Sequence, residues 1–563
     1  MNVKVRVAGA RSRAPTKIAG DGTVVPPMTA WTFADAYERI AEAIPDAPCQ
    51  EQGDRIVTWS QFDHRADALA RDLLAAGLGE QAKVAVYLTN CPEYLEAYLA
   101  AFKAGLVPVN TNFRYGPEEI FYLFDNADAE AVVFHAAYTD VLEAIRARLP
   151  SVRRWYVVDD GHPAPAWATS YAEVADRRVE RALAPWGRSP DHVLLLYTGG
   201  TTGMPKGVMW RQDDLFNVLG GGGSPILGQP PAVDLDDLAS RITGPGARFL
   251  PACPLMHGTG ALTTMTGLIS AGSVVTMEGR RFDPVELLDA VQSERVNVLA
   301  IVGDAFAKPM LAALEAEPER WDVSSLVVMV SSGVMWSEQS KQGLLRHHPG
   351  MILADSFGSS EAVGMGTSVS SASGTSKTAK FALGENTRVI TEDGRDVVPG
   401  SEEIGMVAVR GRVPIGYYKD PAKSASTFRE FDGVRYSIPG DYATVEADGT
   451  LRLLGRGSVC INTGGEKVYP EEVEETVKEH PAVADAVVVG VPDERFGEAI
   501  CALVELRPGH QADEADIVSH VRARLAAYKA PRRVLPIESI GRAPNGKVDY
   551  RSLREQALTR LGL

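Results

Sequence analysis

The chain has 563 residues, of which 45% are hydrophobic and 23% charged, and its formal net charge is −16. This length exceeds what one hydrophobic core usually supports, so it predicts two or more domains. The composition is that of a globular protein, and the acidic balance argues against nucleic acid as a main partner. No apolar run is long enough to predict a membrane-spanning helix.

Residues 1–28 form a basic segment, because the first 20 residues carry five Lys or Arg side chains and no acid. This composition fits a disordered tail or a transit peptide, and translation starting at Met28 is a third interpretation. The cysteines form no close pairs, so neither a zinc cluster nor a disulfide framework is indicated and a reducing cytoplasm fits. They are Cys49, Cys91, Cys253, Cys460 and Cys501.

Helical and strand patterns alternate from residue 31 onward, which is typical of βαβ units and mostly parallel sheets. Predicted helices cover residues 33–44, 63–78, 92–106, 117–124 and 285–295. Predicted strands cover residues 83–88, 107–109, 131–134, 193–196, 298–302, 326–330 and 351–353. The glycine- and proline-rich residues 218–247 predict a loop, either a flexible border of a pocket or a surface insertion.

The strongest motif follows the strand pattern at 193–196 and reads Tyr-Thr-Gly-Gly-Thr-Thr-Gly-Met-Pro-Lys-Gly over residues 197–207. Glycines let backbone N–H groups approach an anion, hydroxyls can donate to phosphate oxygens, and a lysine adds a mobile charge. The order of residues does not match an ordinary P-loop, in which Gly-Lys precedes Ser or Thr. The candidate phosphate-binding residues are Thr198, Gly199, Gly200, Thr201, Thr202 and Lys206.

Four further motifs come later, in a fixed order. Residues 250–260 contain His257 between Pro-Leu-Met and Gly-Thr-Gly, and residues 331–335 form a turn around Gly333. Residues 354–361 read Ala-Asp-Ser-Phe-Gly-Ser-Ser-Glu, and residues 436–441 read Tyr-Ser-Ile-Pro-Gly-Asp.

The character of the chain changes near residue 455, after a hairpin pattern at 450–454. A compact α+β stretch follows, with predicted helices at 470–480 and 515–526 and strands at 486–491 and 499–506. It contains a Gly-Gly-Glu segment at 464–466 and the turn Pro-Asn-Gly-Lys at 544–547. Its length is sufficient for a small domain.

Taken together, these motifs resemble the adenylate-forming superfamily, which includes acyl-CoA synthetases, adenylation domains of peptide synthetases and luciferases. The resemblance covers roughly residues 30–555, and residues 462–470 look most like bacterial fatty-acyl-CoA and steroid side-chain-CoA ligases. It implies an α/β fold with a large N-terminal domain of mixed, mostly parallel sheets and flanking helices, and a small mobile α+β domain. The implied divisions are a tail at 1–28, an AMP- and acyl-binding domain at 29–455, a hinge at 456–459 and a C-terminal domain at 460–563.

The resemblance also implies a nucleotide site. Phe357, in place of the usual tyrosine, would stack on adenine beside Gly333 and Gly358. Ser360, in place of threonine, would contact the α-phosphate. The other implied contacts are Asp441 and Arg456 to the ribose hydroxyls, and Glu361 with Thr202 to Mg²⁺.

The remaining implied roles concern catalysis and CoA. His257 would lie near the bound carboxylate and then near the thiol path, and Lys547 would stabilise the charge that develops at the α-phosphate and carboxylate. Ser458 would be the hinge pivot, although the aspartates that many relatives carry there are absent. The segment of Gly464, Gly465 and Glu466 would meet the pantetheine arm of CoA.

The implied activity is ATP-dependent synthesis of acyl-CoA from a fatty or steroid side-chain acid through acyl-AMP, with ATP, Mg²⁺ and CoA as cofactors. Alternatives are a fatty-acyl-AMP ligase that loads a carrier protein and a non-catalytic nucleotide-binding sensor. The expected location is the cytoplasm. The expected partners are small molecules rather than nucleic acid, and both peripheral membrane contact and a homodimer are compatible with the sequence.

Overall fold

A computed structural model describes residues 30–198, 204–223, 229–334, 336–459, 461–463, 466–493, 497–525, 527–543 and 548–563. Within these residues the strands form three sheets, with helices packed around them. The predicted α/β class is therefore confirmed. The predicted basic tail lies outside the described residues. The proposed domain and hinge boundaries remain predictions.

The first sheet has eight described strands and holds the phosphate motif near one edge. Its order in space is Gly416–Tyr417, Lys206–Arg211, Val193–Thr198, Val107–Asn110, Lys83–Tyr87, Ala129–His135, Arg154–Val158 and Thr169–Ser170. The last six strands run parallel to one another, whereas Lys206–Arg211 pairs antiparallel with both Gly416–Tyr417 and Val193–Thr198. Consecutive residues of the central parallel strands are buried, so their sequences are apolar runs rather than alternating patterns.

The second sheet has fifteen described strands, which are mostly parallel in one half and antiparallel in the other. Pro48–Gln52, Ser273–Val275, Arg248–Pro251, Val298–Ile301, Val328–Ser332 and Ile352–Ser359 are parallel neighbours, and Arg55–Thr58 forms the edge. Beyond them follow the antiparallel strands Ala362–Ser370, Lys380–Leu383, Leu451–Arg456, Asp441–Val445, Gly405–Arg410, Val434–Ser437 and Phe428–Phe431, with Thr387–Ile390 beside Gly405–Arg410.

This antiparallel half was not predicted, apart from the hairpin near 450–454. Its strands expose part of one face, as the alternating burial of Ala362–Ser370 illustrates, so they lack the continuous apolar runs that revealed the parallel strands.

The third sheet lies in the C-terminal part and has five described strands. These are Glu466–Val468, Ile461–Thr463, Gly497–Leu506 and Val483–Asp493 in order, with Arg533–Ile537 added parallel to Gly497–Leu506. Helices Pro470–Lys478, Glu514–Arg522 and Tyr550–Leu561 accompany this sheet. The predicted α+β character of this part is confirmed.

The other described α-helices belong to the larger part of the chain. They are Phe33–Ala43, Trp59–Ala75, Pro92–Lys103, Pro117–Asn126, Thr139–Ile145, Tyr171–Ala175, Gln212–Val218, Leu235–Ser240, Gly258–Ile269, Pro284–Ser293, Asp304–Ala316, Glu338–His347 and Pro421–Thr427. Short 3₁₀ helices occur at Ala136–Tyr138, Arg146–Arg148, Gly457–Val459 and Ala527–Lys529. Among the described helices, none combines the length and apolar character needed to cross a bilayer.

Two local predictions were wrong. The helix predicted from residue 63 begins at Trp59, because Thr58 and Gln61 form a reciprocal capping box at its start. The segment 218–247 is not a loop throughout, because Asp234 caps the helix Leu235–Ser240. Leu238 of this helix is buried, and the two interpretations of the segment, a border of a pocket or a surface insertion, remain predictions.

Candidate active site

The phosphate motif connects two antiparallel strands. Val193–Thr198 leads into it and Lys206–Arg211 leaves it, with Thr198 directly opposite Lys206. An ordinary P-loop would open a helix at this point, so the strand after the loop agrees with the exclusion made from the sequence. Gly199, Gly200, Thr201 and Thr202 lie outside the described residues, and their predicted roles remain predictions.

Lys206 is fixed by an ion pair at the second end of this motif. Its Nζ donates to Asp420 Oδ2 at 2.5 Å, and Asp420 also caps the helix Pro421–Thr427 by accepting from the Lys423 N–H at 2.9 Å. The hydrogen bond from Lys206 lowers the pKa of Asp420 from its ordinary value. The lysine ammonium is therefore held beside the motif by a carboxylate that stays ionised at neutral pH.

Ser360 and Glu361 form a turn that three side chains hold in place. Trp210 Nε1 donates to the Ser360 carbonyl at 2.8 Å, and the Ser437 hydroxyl donates to the Glu361 carbonyl at 2.6 Å. The Tyr417 hydroxyl donates to Glu361 Oε1 at 2.8 Å. Since Trp210 belongs to the strand that begins at Lys206, the turn is connected directly to the phosphate motif.

His257 lies at the start of the helix Gly258–Ile269, close to both of these elements. A Cβ atom on Gly258 would stand 3.7 Å from Leu196 Cδ2 and 3.8 Å from Ser360 Oγ. The structure thus brings the residue after His257 next to the phosphate strand and the Ser360 turn.

Asn110 holds the strand before the phosphate motif next to the segment before His257. Its buried side chain donates to the Tyr197 carbonyl at 2.9 Å and to the Met256 carbonyl at 2.6 Å, and accepts from the Tyr197 N–H at 2.6 Å. It therefore joins the residue before Thr198 to the residue before His257.

Gly333 lies against the same helix. Its φ of +93° is unfavourable for other residues, and the Thr259 hydroxyl donates to the carbonyl of the preceding Ser332 at 3.4 Å. A Cβ atom on Gly333 would stand 3.5 Å from Thr259 Oγ1. The turn predicted to line the nucleotide and acyl pocket thus packs on the helix that begins after His257.

Phe357 has only 8% of its surface exposed and packs on Phe381, with ring centroids 5.4 Å apart. It belongs to an apolar cluster of the antiparallel half, and Gly358 follows it in the same strand. Its predicted stacking on adenine remains a prediction.

The two predicted ribose contacts are neighbours across a strand pair. Asp441 is 6% exposed and lies directly opposite Arg456 in the antiparallel ladder. Gly457–Val459, which includes Ser458, forms a 3₁₀ helix, and the Gly457 N–H donates to the Gly440 carbonyl at 3.0 Å. For Arg456 and Ser458 only the backbone is described.

The predicted CoA-binding and lysine segments fall largely outside the description. Gly464, Gly465 and Lys547 lie outside the described residues, and Glu466 is described only through its backbone in the strand Glu466–Val468. The assignments to CoA and to catalysis remain predictions.

The sequence interpretation missed four residues of this region: Asn110, Trp210, Tyr417 and Asp420. Each acts by contacting a residue that is distant in sequence, such as Trp210 with Ser360 and Asp420 with Lys206. The sequence Tyr-Tyr-Lys-Asp at 417–420 matches no known motif spacing. No local signal could therefore have identified these four residues.

Comparison with known proteins agrees with this architecture. The chain matches the family described as AMP-binding enzyme over residues 37–418, and the AMP-binding enzyme C-terminal domain over residues 472–547. It is 41% identical to the 3-oxocholest-4-en-26-oate–CoA ligase of Rhodococcus rhodochrous, covering 94% of this chain and 96% of the relative.

A second relative is the medium/long-chain-fatty-acid–CoA/3-oxocholest-4-en-26-oate–CoA ligase of Mycobacterium marinum, 40% identical over 94% of this chain and 97% of the relative. The crystal structure of the anthranilate CoA ligase AuaEII in complex with anthranoyl-AMP has the same fold, with a TM-score of 0.81 at 22% identity over 95% of this chain and 99% of the other. On these grounds the chain belongs to the AMP-binding enzyme family.

Proposed function

We propose that this protein is an ATP-dependent acyl-CoA synthetase that activates a carboxylic acid as acyl-AMP and then transfers the acyl group to CoA. The observation that carries the proposal is the similarity at about 40% identity, over almost the whole chain, to relatives named as CoA ligases. The ion-paired lysine and the fixed Ser360–Glu361 turn beside the phosphate motif support it.

In the first half-reaction the carboxylate oxygen attacks the α-phosphorus of ATP, and the bond to pyrophosphate breaks. Lys206 and the hydroxyls of the phosphate motif would bind phosphate oxygens, and Ser360 would contact the α-phosphate. Lys547 would stabilise the negative charge that grows on the transferring group. The ionised carboxylate of Asp441 can only accept hydrogen bonds, which suits the two donors of a ribose diol.

Mg²⁺ fits the region on chemical grounds. Glu361 supplies a carboxylate oxygen, and no basic side chain among the described residues forms an ion pair with it. No group of three or more His, Cys, Asp or Glu side chains suited to a metal occurs among the described residues. Mg²⁺ commonly binds through one or two carboxylates together with substrate phosphates, and it would neutralise phosphate charge here.

In the second half-reaction the CoA thiolate attacks the carbonyl carbon of acyl-AMP and AMP leaves. The thiol proton passes to solvent or a nearby base, for which His257 is the candidate. The segment 464–466 would meet the pantetheine arm. A rotation about 456–459 would remove Lys547 and bring this segment to the site, because one site must serve two nucleophiles.

For the acid, the names of the relatives favour a medium- or long-chain fatty acid or a steroid with a carboxylated side chain. The cytoplasmic location, peripheral membrane contact and a homodimer remain predictions.

The test is to incubate the purified full chain with MgATP and a panel of fatty, steroid and aromatic acids, with and without CoA. We expect AMP and acyl-CoA to appear together, and only with CoA, for one class of acid. Acyl-AMP that CoA does not discharge would instead favour loading of a carrier protein. No AMP with any acid would contradict the proposal and favour a nucleotide sensor.

A further inference from the structure

The side chain of Glu361 is held by a neighbour that plays no part in the functional assignments made from the sequence. The Tyr417 hydroxyl donates to Glu361 Oε1 at 2.8 Å, and Tyr417 is 5% exposed, so water competes little for this bond. One carboxylate oxygen is thereby engaged by a neutral donor, which leaves the charge of Glu361 uncompensated by this contact.

Tyr417 is itself fixed to the phosphate motif. Its backbone pairs with Val208 in the strand that begins at Lys206, and its N–H donates to Ser424 Oγ at 2.8 Å. The next residue, Tyr418, donates its N–H to the Gly207 carbonyl at 2.8 Å. Since the same backbone carries Lys206 and supports Tyr417, the position of the Glu361 carboxylate is linked to that of the phosphate motif.

We propose that Tyr417 is a positioning residue that orients the Glu361 carboxylate for the metal ion of metal–ATP. The proposal rests on the proposed function only in taking ATP as the ligand. A carboxylate on a flexible side chain loses rotational freedom when it binds a metal, and a preformed hydrogen bond to one oxygen reduces that loss. Partners of this kind typically change metal affinity by about 10- to 100-fold.

Tyr418 offers a matched control. Its hydroxyl donates to Asp128 Oδ2 at 2.8 Å rather than to Glu361, so Tyr418→Phe removes the same atom from the adjacent residue. Loss of a tyrosine hydroxyl in general is thus separated from loss of the bond to Glu361.

The experiment is titration calorimetry of α,β-methylene-ATP with the full chain, with and without MgCl₂. We expect Tyr417→Phe to weaken binding by about tenfold with Mg²⁺ and to change it little without metal. Tyr418→Phe should match the wild type in both conditions. An equal loss with and without Mg²⁺, or no loss at all, would overturn the proposal.

A second measurement tests whether Tyr417 acts through Glu361. In the background of Glu361→Gln, Tyr417→Phe should add no further loss, because the oriented carboxylate is already gone. Fully additive losses would contradict the proposal. Should Tyr417→Phe fold poorly, Ser424→Ala should give a smaller loss of the same metal-dependent kind, because it removes the hydroxyl that accepts from the Tyr417 N–H and donates to the Asp420 carbonyl at 2.7 Å.

The two proposals fail in distinguishable ways. If the wild type bound the analogue with a clear Mg²⁺ advantage that Tyr417→Phe retained, only the role of Tyr417 would be wrong. If the wild type bound no nucleotide and formed no acyl-CoA, both proposals would be wrong.

Discussion

Lys547 is the residue whose predicted role differs most sharply between the two half-reactions. Removing its charge in Lys547→Ala should slow adenylation by several orders of magnitude, because a stabilising charge is lost from the transition state. It should leave thioester formation from supplied acyl-AMP close to normal. The measurement is the rate of each half-reaction in separate assays.

Arg551→Ala provides the control, because that side chain is 86% exposed and lies four residues away. It should behave as the wild type in both assays. Equal slowing of the two half-reactions by Lys547→Ala would contradict the assigned role.

Lys341 and Asp355 form a buried ion pair between the helix Glu338–His347 and the strand that carries Phe357. Their side chains are 1% and 8% exposed, and Lys341 Nζ donates to Asp355 Oδ2 at 3.1 Å. Lys341→Met should destabilise the protein by about 3–5 kcal/mol, because it leaves a buried charge without its partner. The double variant Lys341→Met/Asp355→Leu should recover much of that loss in urea unfolding; a double variant as unstable as the single one would refute this account.

The Asp355 carboxyl should also make the free energy of unfolding depend on pH, and the direction of this dependence follows from its pKa. Burial raises the pKa of Asp355 to about 6, and Lys341 offsets only part of this effect. The native state therefore binds more protons than the unfolded chain between about pH 4 and pH 6. Its contribution to stability should fall as pH rises through that window, and Asp355→Asn should remove this component from a plot of unfolding free energy against pH.

At the level of single elements, the start of the helix Trp59–Ala75 depends on its cap. Thr58 Oγ1 accepts from the Gln61 N–H at 3.2 Å, and Gln61 Oε1 accepts from the Thr58 N–H at 2.9 Å. Thr58→Ala should lower the unfolding free energy by about 1 kcal/mol. Ser60→Ala, an exposed substitution two residues away, should change it little; equal effects of the two substitutions in urea unfolding would contradict the role of the cap.

The edge strand of the first sheet, which contains Tyr417, could not be detected from local sequence. The strand Gly416–Tyr417 has only two residues and no strand signal of its own, yet it closes the edge of the first sheet. Short strands of this kind are stabilised by the neighbour with which they pair, so a reading of local sequence does not detect them.

Over the whole molecule, a buried network of charges joins three helices. Lys103 is fully buried and contacts Glu38, Asp63 and Asp67 at 2.7–2.8 Å, while Arg188 binds Glu38 from the other side at 2.6 Å. Burial alone would raise the pKa of Glu38, but Arg188 and Lys103 outweigh it and lower the value to about 2.

Because this pKa is lowered in the native state, the stabilisation is present above the ordinary pKa of a glutamate and is lost as pH falls towards 2. Glu38→Gln should therefore reduce the melting temperature at neutral pH and flatten its decline between about pH 4.5 and pH 2. Asp236→Asn, which removes a carboxylate whose side chain is 91% exposed, should leave the profile unchanged. A Glu38→Gln profile parallel to that of the wild type would contradict the assignment.

The sequence by itself determined the α/β class, a part of the parallel strands and helices, and the order of the motifs. These follow from periodicity, from apolar runs and from residue types such as those of the phosphate motif, all of which are local in the chain. It also placed Ser360, Glu361 and His257 in one region through resemblance, before any distance was known.

Only the tertiary structure decided which residues support that region. The bonds from Trp210 to Ser360, from Tyr417 to Glu361 and from Lys206 to Asp420 join residues between 56 and 214 positions apart. The antiparallel half of the second sheet was decided in the same way. A local pattern carries no record of such contacts, because their energy arises only when distant segments pack against one another.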